Sequence, residues 1–184
     1  HISHDKITLS LDSSGDSLHK RGYREETGPA PINEVLAAGL LLQAGWDGKG
    51  NYLDQMCGSG TMLIEAAMIA NSIPAQLHRK HFAFQNWPDY DANLYAEIRN
   101  TRINRIKEFE YKIVGYEISP LMAKIAQMNI KSADLEGMIE VRHQDFFTSK
   151  KEMFPVLLVF NPPYDERIEN NNQDFYKQIG DTLK

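Results

Sequence analysis

Short apolar runs alternate along this chain with segments that have the spacing of amphipathic helices. The apolar runs lie at residues 52–53, 113–116, 139–141 and 156–160, and the helix-like segments cover residues 61–71, 120–131 and 173–184. Parallel strands need crossover connections long enough to contain a helix, so this alternation predicts a parallel sheet wound with helices. We therefore expect an α/β fold with a mostly parallel sheet and helices on both of its faces.

The first part of the chain predicts two further elements. Residues Ile7, Leu9 and Leu11 alternate with polar residues and run into a polar cluster at 12–16, which is typical of a strand leading into a turn. The segment INEVLAAGLLLQAG after Pro31 has helical spacing, and Gly45 is a suitable C-terminal stop. We expect this helix to be buried by one apolar face, made of Ile32, Val35, Leu36, Leu40 and Leu41.

A long stretch from residue 73 to residue 111 separates the first two predicted strands of the sheet. We interpret it as an insertion. Its basic run is expected to form a solvated helix face, made of Arg99, Arg102, Arg105 and Lys107. The short run of asparagines at residues 170–172 is expected to cap the last helix.

Composition and charge limit the class of protein. The 184 residues suffice for one domain with one core, and the net charge of -5 argues against binding nucleic acid through bulk positive potential. The one cysteine, Cys57, excludes an internal disulfide and a cysteine-based metal site, and it fits a reducing compartment such as the cytoplasm. No apolar run has the length of a membrane span. Because the chain begins at His1 and ends directly after a helix-like segment, we expect it to be part of a longer protein.

The segment LDQMCGSGT at residues 53–61 has the composition of a cofactor-binding loop. It places Asp54 at the end of a strand, and Gly58 and Gly60 in the turn before a helix. Glycine lets the backbone come close to a ligand, and the first amides of a helix are free to donate to an anionic group. A Gly-x-Gly turn alone is equally compatible with a tight strand-to-helix connection, so its neighbours decide the interpretation.

Acidic side chains also follow the next two strands. Glu117 ends one strand, where an open α/β sheet presents an acid to ribose hydroxyls. Asp145 follows the next, where it can accept from the amine of an adenine packed on Phe146. Each acid alone is more often structural, but three acids after three successive strands converge at one crevice. They predict one adenosine site, comprising Pro31, Asp54, Met56, Cys57, Gly58, Ser59, Gly60, Thr61, Glu117, Ile118, Asp145 and Phe146.

The loop also distinguishes between two cofactors that contain adenosine. Gly60 is followed by Thr61, Met62 and Leu63, so the G-x-G-x-x-G pattern that binds the pyrophosphate of a nicotinamide cofactor is absent. S-adenosylmethionine has no pyrophosphate, and needs instead sites for a carboxylate and an ammonium group. The amides from Gly58 to Thr61 and the Asp54 side chain are our candidates for these two roles.

The tetrapeptide Asn161-Pro162-Pro163-Tyr164 follows the fourth apolar run and is the most specific feature of the chain. An aromatic amine is a poor nucleophile because its lone pair is delocalised, so methylating it requires acceptors that orient the nitrogen. Asn161 offers a side-chain oxygen, and two prolines stiffen the turn so that the Pro162 carbonyl can be a second acceptor. Tyr164 offers a face on which a base can stack. We expect these four residues to be catalytic through positioning and electrostatics, without a strong general base.

Together these motifs resemble the UPF0020-like RNA methylase family, which contains the bacterial 23S rRNA guanine-N2 methyltransferases. The resemblance spans nearly the whole chain. It is carried by SGDSLHKRGYR at residues 14–24, API at 30–32, MCGSGT at 56–61, HFAFQNW at 81–87 and NPPYDERI at 161–168. Two positions depart from the family pattern: Gln55, where proline is common, and Asp165, where glycine is frequent and base selectivity could change.

The resemblance implies a Rossmann-like class I S-adenosylmethionine-dependent methyltransferase fold that acts on the N2 amine of a guanine in 23S ribosomal RNA. It also implies a preceding THUMP-type RNA-binding domain. On this basis residues 1–28 are a lead-in from that missing domain. Residues 29–184 are the methyltransferase domain, lacking the later strands of its sheet and containing the insertion at 73–111.

Local basic residues are the candidates for RNA phosphate contacts: Lys20, Arg21, Arg24, His78, Arg79, Lys80 and His81. The interleaved aromatic side chains of Phe82, Phe84 and Trp87 are expected to pack the insertion onto the core.

Two alternatives stay open. The chemistry of the tetrapeptide suits an adenine-N6 or a glutamine-N5 methyltransferase equally well. A non-catalytic RNA-binding module could also keep the cofactor fold, although the presence of Asn161 and Tyr164 speaks against it.

Overall fold

The computed structural model describes residues 2–26, 31–152, 155–163 and 172–184. Its strands are β1 (Ile2–Ser3), β2 (Lys6–Ile7), β3 (Asn51–Asp54), β4 (Ile113–Glu117), β5 (Ile139–His143) and β6 (Val156–Leu158). Its α-helices are α1 (Glu34–Gln43), α2 (Thr61–Ala70), α3 (Ala92–Ile103), α4 (Pro120–Ser132) and α5 (Asn172–Thr182). Two 3-10 helices cover Ala83–Asn86 and Phe146–Thr148.

The last four strands form one parallel sheet in the order β5-β4-β3-β6. Leu53 of β3 lies opposite Val114 of β4 on one side and Leu158 of β6 on the other. The chain steps outward from β3 to β5 and then returns to the opposite side of β3, so the strand order reverses there. Sheets of this type bind ligands outside the carboxyl ends of the strands at that reversal. The predicted parallel α/β architecture is confirmed.

Alternate residues of the central strands belong to two hydrophobic clusters. Tyr52 and Ile113 lie in the larger cluster, together with buried residues of α1, α2 and α4. Leu53, Val114 and Tyr116 form a smaller cluster with half-buried residues of β6. Nine of the ten residues of α2 are buried, which explains why this helix is almost entirely apolar. The core therefore fixes α2, and with it the loop that joins β3 to α2.

Gly115 in the middle of β4 allows this close packing. A Cβ at this position would lie 2.4 Å from Leu63 Cδ1 and 2.9 Å from Cys57 Sγ, closer than buried atoms can approach. We expect Gly115→Ala to lower the free energy of unfolding by about 1–3 kcal/mol, measured by urea denaturation. Gly39→Ala is the matched control, because a Cβ on this exposed residue of α1 meets nothing within 4 Å. Equal stability of the Gly115→Ala variant and the unchanged chain would contradict this packing.

The predicted buried face of α1 is right at Leu41, which is buried, and at Ile32, which packs against the larger cluster, but wrong elsewhere. Val35 and Leu36 are 49% and 55% exposed, and the buried residues are Glu34, Ala37 and Leu41. Apolar residues occur all around this helix, so their spacing does not define its contact face, and only a narrow stripe around Ala37 and Leu41 packs on the larger cluster. Its C-terminal stop is confirmed: Gly45 has φ +84°.

The predicted strand at Ile7, Leu9 and Leu11 is also largely wrong. Only Ile7 belongs to a strand, and it pairs with Ile2 in a two-stranded hairpin. Leu9 and Leu11 are 91% and 83% exposed, so this segment has no buried apolar face of the kind that an alternating strand presents to a core. The predicted turn does form, because Asp12 Oδ1 accepts from the amides of Ser14 and Gly15.

Other predicted bounds need smaller corrections. The fourth strand ends at Leu158 rather than Phe160, although Val159 N still donates to Leu53 O at 3.3 Å. The predicted cap of the last helix falls on residues 170 and 171, which lie outside the described residues, and on Asn172, the first residue of α5.

The segment between α2 and β4 contains its own aromatic cluster. Phe82 and Phe84 stack on one another, and both contact Tyr95 of α3. Neither these two residues nor Trp87 packs against the hydrophobic clusters of the described residues, so the expectation that they attach this segment to the core is wrong. Phe109 does so instead, with its ring 6.1 Å from that of Trp46. The predicted basic helix face lies on α3 and the residues after it, and is solvent exposed.

Among the helices of the described ranges, none combines the length and apolarity that crossing a membrane requires.

Candidate functional site

A cavity of about 410 Å³ opens at the carboxyl ends of β3, β4, β5 and β6. Three of its walls come from the segments that follow β3, β4 and β5, and a fourth comes from the turn after β6. Its described lining residues are Pro31, Ile32, Asp54, Gln55, Met56, Cys57, Gly58, Ser59, Thr61, Met62, Glu117, Ile118, Met122, Gln144, Asp145, Phe146, Phe147, Asn161, Pro163 and Phe175. The predicted convergence of three acids and the Asn161 turn at one crevice is confirmed.

Gly60 permits the tight connection between β3 and α2. Its φ is +83°, in the left-handed region that glycine adopts readily, and a Cβ here would lie 3.2 Å from Ala126 Cβ of α4. Gly60 supports the loop in this way without lining the cavity. The N-terminus of α2 is thereby held close to both α4 and the cavity.

The backbone amides of the loop are not equally free. Gly58 N donates to Glu117 Oε2 at 2.9 Å, and Gly60 N donates to Cys57 O at 2.8 Å. The expectation that all amides from Gly58 to Thr61 face a ligand is therefore too broad. Ser59 and Thr61 remain as candidate donors, and the Thr61 amide begins the helix, where backbone donors lack intrahelical partners.

Glu117 ends β4 and its carboxylate is held by two backbone amides. Oε2 accepts from Gly58 N, and Oε1 accepts from Ser119 N, both at 2.9 Å. A carboxylate can accept about four hydrogen bonds, so both oxygens keep capacity for hydroxyl donors of a ligand. The backbone bonds orient the carboxylate before any ligand binds.

Asp54 is the most deeply buried acid of the site, at 2% exposure. Its Oδ1 accepts from Met56 N at 3.1 Å. Burial raises the pKa of Asp54 to about 7, the Met56 amide lowers it, and the nearby Glu117 charge raises it. Cys57, also at the cavity wall, has its pKa raised by burial, so its thiol is a neutral packing group rather than a nucleophile.

Aromatic rings form the wall beside Asp145. Phe146 is buried, and its ring lies 5.0 Å from that of Phe147 and 5.7 Å from that of Phe160. Phe175 of α5 meets Phe147 edge to face at 5.7 Å. Asp145 Oδ1 accepts from Phe147 N at 2.9 Å, which orients the acid next to this wall. An apolar wall with one oriented carboxylate suits a flat heterocycle that carries an amine.

The turn after β6 brings two of the four predicted catalytic residues to the cavity. Asn161 and Pro163 line it, whereas Pro162 lies between them without lining it. Tyr164 and Asp165 lie outside the described residues. Asn161 thus lies in the same cavity as Asp54, Glu117 and Asp145, as its position after the strand predicts.

Several lining residues were missed by reasoning from the sequence. Phe147 and Phe175 carried no motif of their own, although the first follows Phe146 directly. Gln55 and Gln144 each lie next to a predicted acid, which is the only signal they offer. The remaining missed residues are apolar. Ile32 lies just before α1, Met62 lies in α2 and Met122 lies in α4.

Two of the basic candidates for RNA contact turn inward. The Arg21 side chain is 10% exposed and pairs with Glu65 at 3.3 Å, and the Arg24 side chain is 17% exposed and lies 3.1 Å from Glu34. Arg79 donates to the backbone oxygens of residues 14, 16 and 81. The prediction for these three arginines is wrong, because each is committed to protein partners. The exposed members of the set are Lys20, His78, Lys80 and His81.

The chain matches known proteins over most of its length. The UPF0020 family, described as an RMKL-like methyltransferase domain, matches residues 21–184. The ribosomal RNA large subunit methyltransferase K/L of Saccharophagus degradans is 40% identical over 184 residues, a match that covers 94% of this chain and 24% of that protein. The chain thus spans about a quarter of the length of this relative.

Solved structures agree with this match. SMU.472, which carries the name of a methyltransferase and is complexed with SAH, superposes with a TM-score of 0.84 at 34% identity, over 94% of this chain and 45% of that one. A protein of Listeria monocytogenes, named as a predicted N6-adenine-specific DNA methylase, superposes with a TM-score of 0.83 at 32% identity, over 94% and 46%. This chain therefore belongs to the UPF0020 family of RMKL-like methyltransferase domains and has the class I methyltransferase fold.

Proposed function

We propose that this chain is the catalytic part of an S-adenosylmethionine-dependent methyltransferase that modifies the exocyclic N2 amine of a guanine in 23S ribosomal RNA. The observation that carries the proposal is the single cavity that brings Asp54, Glu117 and Asp145 together with Asn161. The names of the curated relatives support ribosomal RNA as the substrate, and the SAH complex of SMU.472 supports the cofactor.

The chemistry of the cavity fits S-adenosylmethionine. In the described part of the chain Asp54 has no cationic partner, and an ammonium group is the ligand chemistry that would compensate its buried charge. Glu117 is oriented to accept from ribose hydroxyls, and Asp145 with Phe146 suits an adenine. When bound, the cofactor supplies a methyl group on a positively charged sulfur.

The role of this chain in the reaction is to orient the acceptor amine. Asn161 accepts a hydrogen bond from the amine and so directs its lone pair, and the stiff prolines keep the Asn161 backbone in place. Tyr164 provides a stacking surface for a base taken out of its helix.

A second candidate function is methylation of adenine at N6. The name of the Listeria monocytogenes neighbour favours it. The side chains of the cavity suit either base, because Asn161 accepts from any planar amine. Guanine is preferred here because the curated relatives are named for large-subunit ribosomal RNA.

The deciding experiment is methylation of undermodified ribosomal RNA by the intact protein with labelled cofactor, followed by digestion to nucleosides. We expect the label in N2-methylguanosine. Label in N6-methyladenosine would replace the guanine proposal with the adenine one. Label that appears only in added protein, at glutamine, would contradict both, and no label in any acceptor would favour a non-catalytic module.

Recruitment of RNA is proposed to depend on other parts of the intact protein. The chain carries a net charge of -5, and three of its basic candidates are committed internally, so it offers little positive potential for phosphates. An RNA-binding domain of THUMP type before residue 29, and a cytoplasmic location beside ribosomal RNA, complete the proposal. The segment at 73–111 is proposed as an insertion between α2 and β4.

A further inference from the structure

We propose that residues 24–26 belong to the frame of the cofactor cavity, with Arg24 and Asn129 as positioning residues that hold its walls. This inference rests on the proposed function, since it concerns the affinity of the same cavity for its cofactor. Neither residue lines the cavity. Each connects the segment at 24–26 to residues that do.

Arg24 contacts two separate parts of the chain, the start of α1 and the start of α2. Its Nη2 donates to Ile32 O and to Thr61 Oγ1, both at 3.0 Å, and its Nε lies 3.1 Å from Glu34 Oε1. Ile32 and Thr61 line the cavity from two sides, one before α1 and the other at the start of α2. A single planar guanidinium therefore sets the distance between these two walls.

Asn129 makes the second connection. This residue of α4 is 1% exposed, and its Nδ2 donates to Ser59 O at 3.0 Å and to Glu26 O at 3.1 Å. Its Oδ1 accepts from Glu25 N at 3.1 Å. The Ser59 carbonyl is thereby fixed, and with it the adjoining peptide units of the loop, whose amides at Ser59 and Thr61 are the candidate donors to the cofactor carboxylate.

The arrangement implies that the segment supports affinity as well as stability. Three sites on the cavity wall, at Ile32, Ser59 and Thr61, receive hydrogen bonds from Arg24 or Asn129. Buried polar side chains with several satisfied bonds hold a backbone in one geometry, and ligand affinity falls when such support is lost. Weakened support should thus raise the dissociation constant of the cofactor product in a chain that is still folded.

Arg21 provides a matched control for Arg24. It also forms a buried ion pair, with Glu65, and its Nη1 donates to Leu18 O at 3.2 Å. None of these partners lines the cavity. The substitutions Arg24→Gln and Arg21→Gln therefore each remove a comparable buried pair, but only the first removes contacts to the cavity wall.

The experiment is calorimetric titration of the 184-residue chain with S-adenosylhomocysteine at a temperature where circular dichroism shows every variant to be folded. We expect Arg24→Gln to raise the dissociation constant about tenfold, and Arg21→Gln to leave it within about twofold while lowering Tm. In turnover, Arg24→Gln should raise KM for the cofactor with little change in kcat, as expected when ground-state and transition-state binding are lost equally. Equal dissociation constants for the two variants would overturn the inference.

Two further variants protect the test against loss of folding. Arg24→Lys keeps the positive charge beside Glu34 but cannot reach both acceptors at once, so we expect restored Tm with affinity still reduced. Full recovery of affinity would overturn the positioning role. Asn129→Ala is compared with Asn71→Ala, because Asn71 is equally buried but donates to Ala67 O, away from the cavity. We expect Asn129→Ala to weaken binding of S-adenosylhomocysteine and Asn71→Ala to leave it unchanged.

The outcome for the unchanged chain separates the inference from the proposed function. If the folded chain binds S-adenosylhomocysteine and Arg24→Gln binds equally well, the inference fails and the function stands. If the folded unchanged chain does not bind, the cofactor assignment fails, and the inference fails with it.

Discussion

Replacing Asn161 with alanine is expected to lower kcat for methyl transfer by about 10²–10³-fold, while affinity for S-adenosylhomocysteine stays within about twofold. Asn161 lines the cavity from the turn after β6, the strand next to β3 in the sheet. Its proposed role is to hold the acceptor amine, so its loss removes orientation of the nucleophile and leaves the cofactor contacts in place. Single-turnover methylation of undermodified ribosomal RNA by the intact protein measures the first quantity, and calorimetry measures the second.

Asn86→Ala is the matched control for this substitution. Asn86 is exposed and contacts only His81 among its described side-chain partners, so its loss should change neither quantity. Asn161→Asp tests the nature of the acceptor, since it keeps an oxygen and alters charge, and we expect partial activity. If Asn161→Ala turns over as fast as the unchanged protein, the acceptor role is refuted. If the variant loses both turnover and affinity for S-adenosylhomocysteine, Asn161 is instead a cofactor-binding residue.

Asp54→Asn is expected to weaken binding of S-adenosylhomocysteine by about 10–100-fold at pH 8, because a charge-assisted hydrogen bond to the ligand ammonium becomes a neutral one. The same change should leave the ligand-free chain as stable or more stable at that pH, because it removes a carboxylate that is costly to ionise at 2% exposure. Weaker binding together with unchanged or higher stability separates a ligand contact from a folding defect. Calorimetry and urea denaturation measure the two effects.

The pH dependence of the unchanged chain follows from the same group. Burial raises the pKa of Asp54 from 3.8 to about 7, so the folded chain keeps a proton between these values that the unfolded chain has released. The stability that this group contributes is therefore full below pH 4 and lost as pH rises through 7. Ligand affinity depends on pH in the opposite direction, because an ammonium group favours the ionised acid. The dissociation constant should therefore rise about tenfold per pH unit as the pH falls below 7.

Glu140→Gln controls for the general loss of a negative charge. Glu140 lies on β5, is paired with Arg142 at 2.7 Å, and does not line the cavity. The Glu140→Gln substitution should leave both the affinity for S-adenosylhomocysteine and the pH dependence of that affinity unchanged. A flat dependence of affinity on pH between 5.5 and 8 in the unchanged chain would exclude Asp54 as the partner of the ammonium group; these pH limits bracket the pKa by about one unit or more.

The sequence predicted best where local chemistry and strand order act together. Asp54, Glu117 and Asn161 follow apolar runs directly, and parallel strands place such residues at one edge whatever the details of packing. The place of Gly58 and Gly60 in the turn between β3 and α2 was also predictable, because a tight strand-to-helix turn needs glycine for conformational reasons. Predicting these positions therefore required no knowledge of the tertiary contacts.

Reasoning from the sequence failed where several surfaces compete for the same side chains. The apolar residues of α1 surround the helix, and only the packing against α2 buried Ala37 beside the predicted Leu41 and left Val35 and Leu36 exposed. Arg24 reads as a surface cation in isolation. Its role depends on a buried acid ten residues later, Glu34, and on Thr61, which only the fold brings within reach.

By itself the sequence determined the alternation of the four sheet strands with α2, α4 and α5, the glycine turn and the residues at the strand ends, because each of these depends on local periodicity or on a few neighbouring residues. Tertiary structure alone decided which loop amides are free, that Phe147 and Phe175 complete the cavity wall, and that Arg24 and Asn129 support it. These features depend on contacts between residues far apart in the chain, and the desolvation that gives Asp54 its raised pKa exists only once those contacts have excluded water.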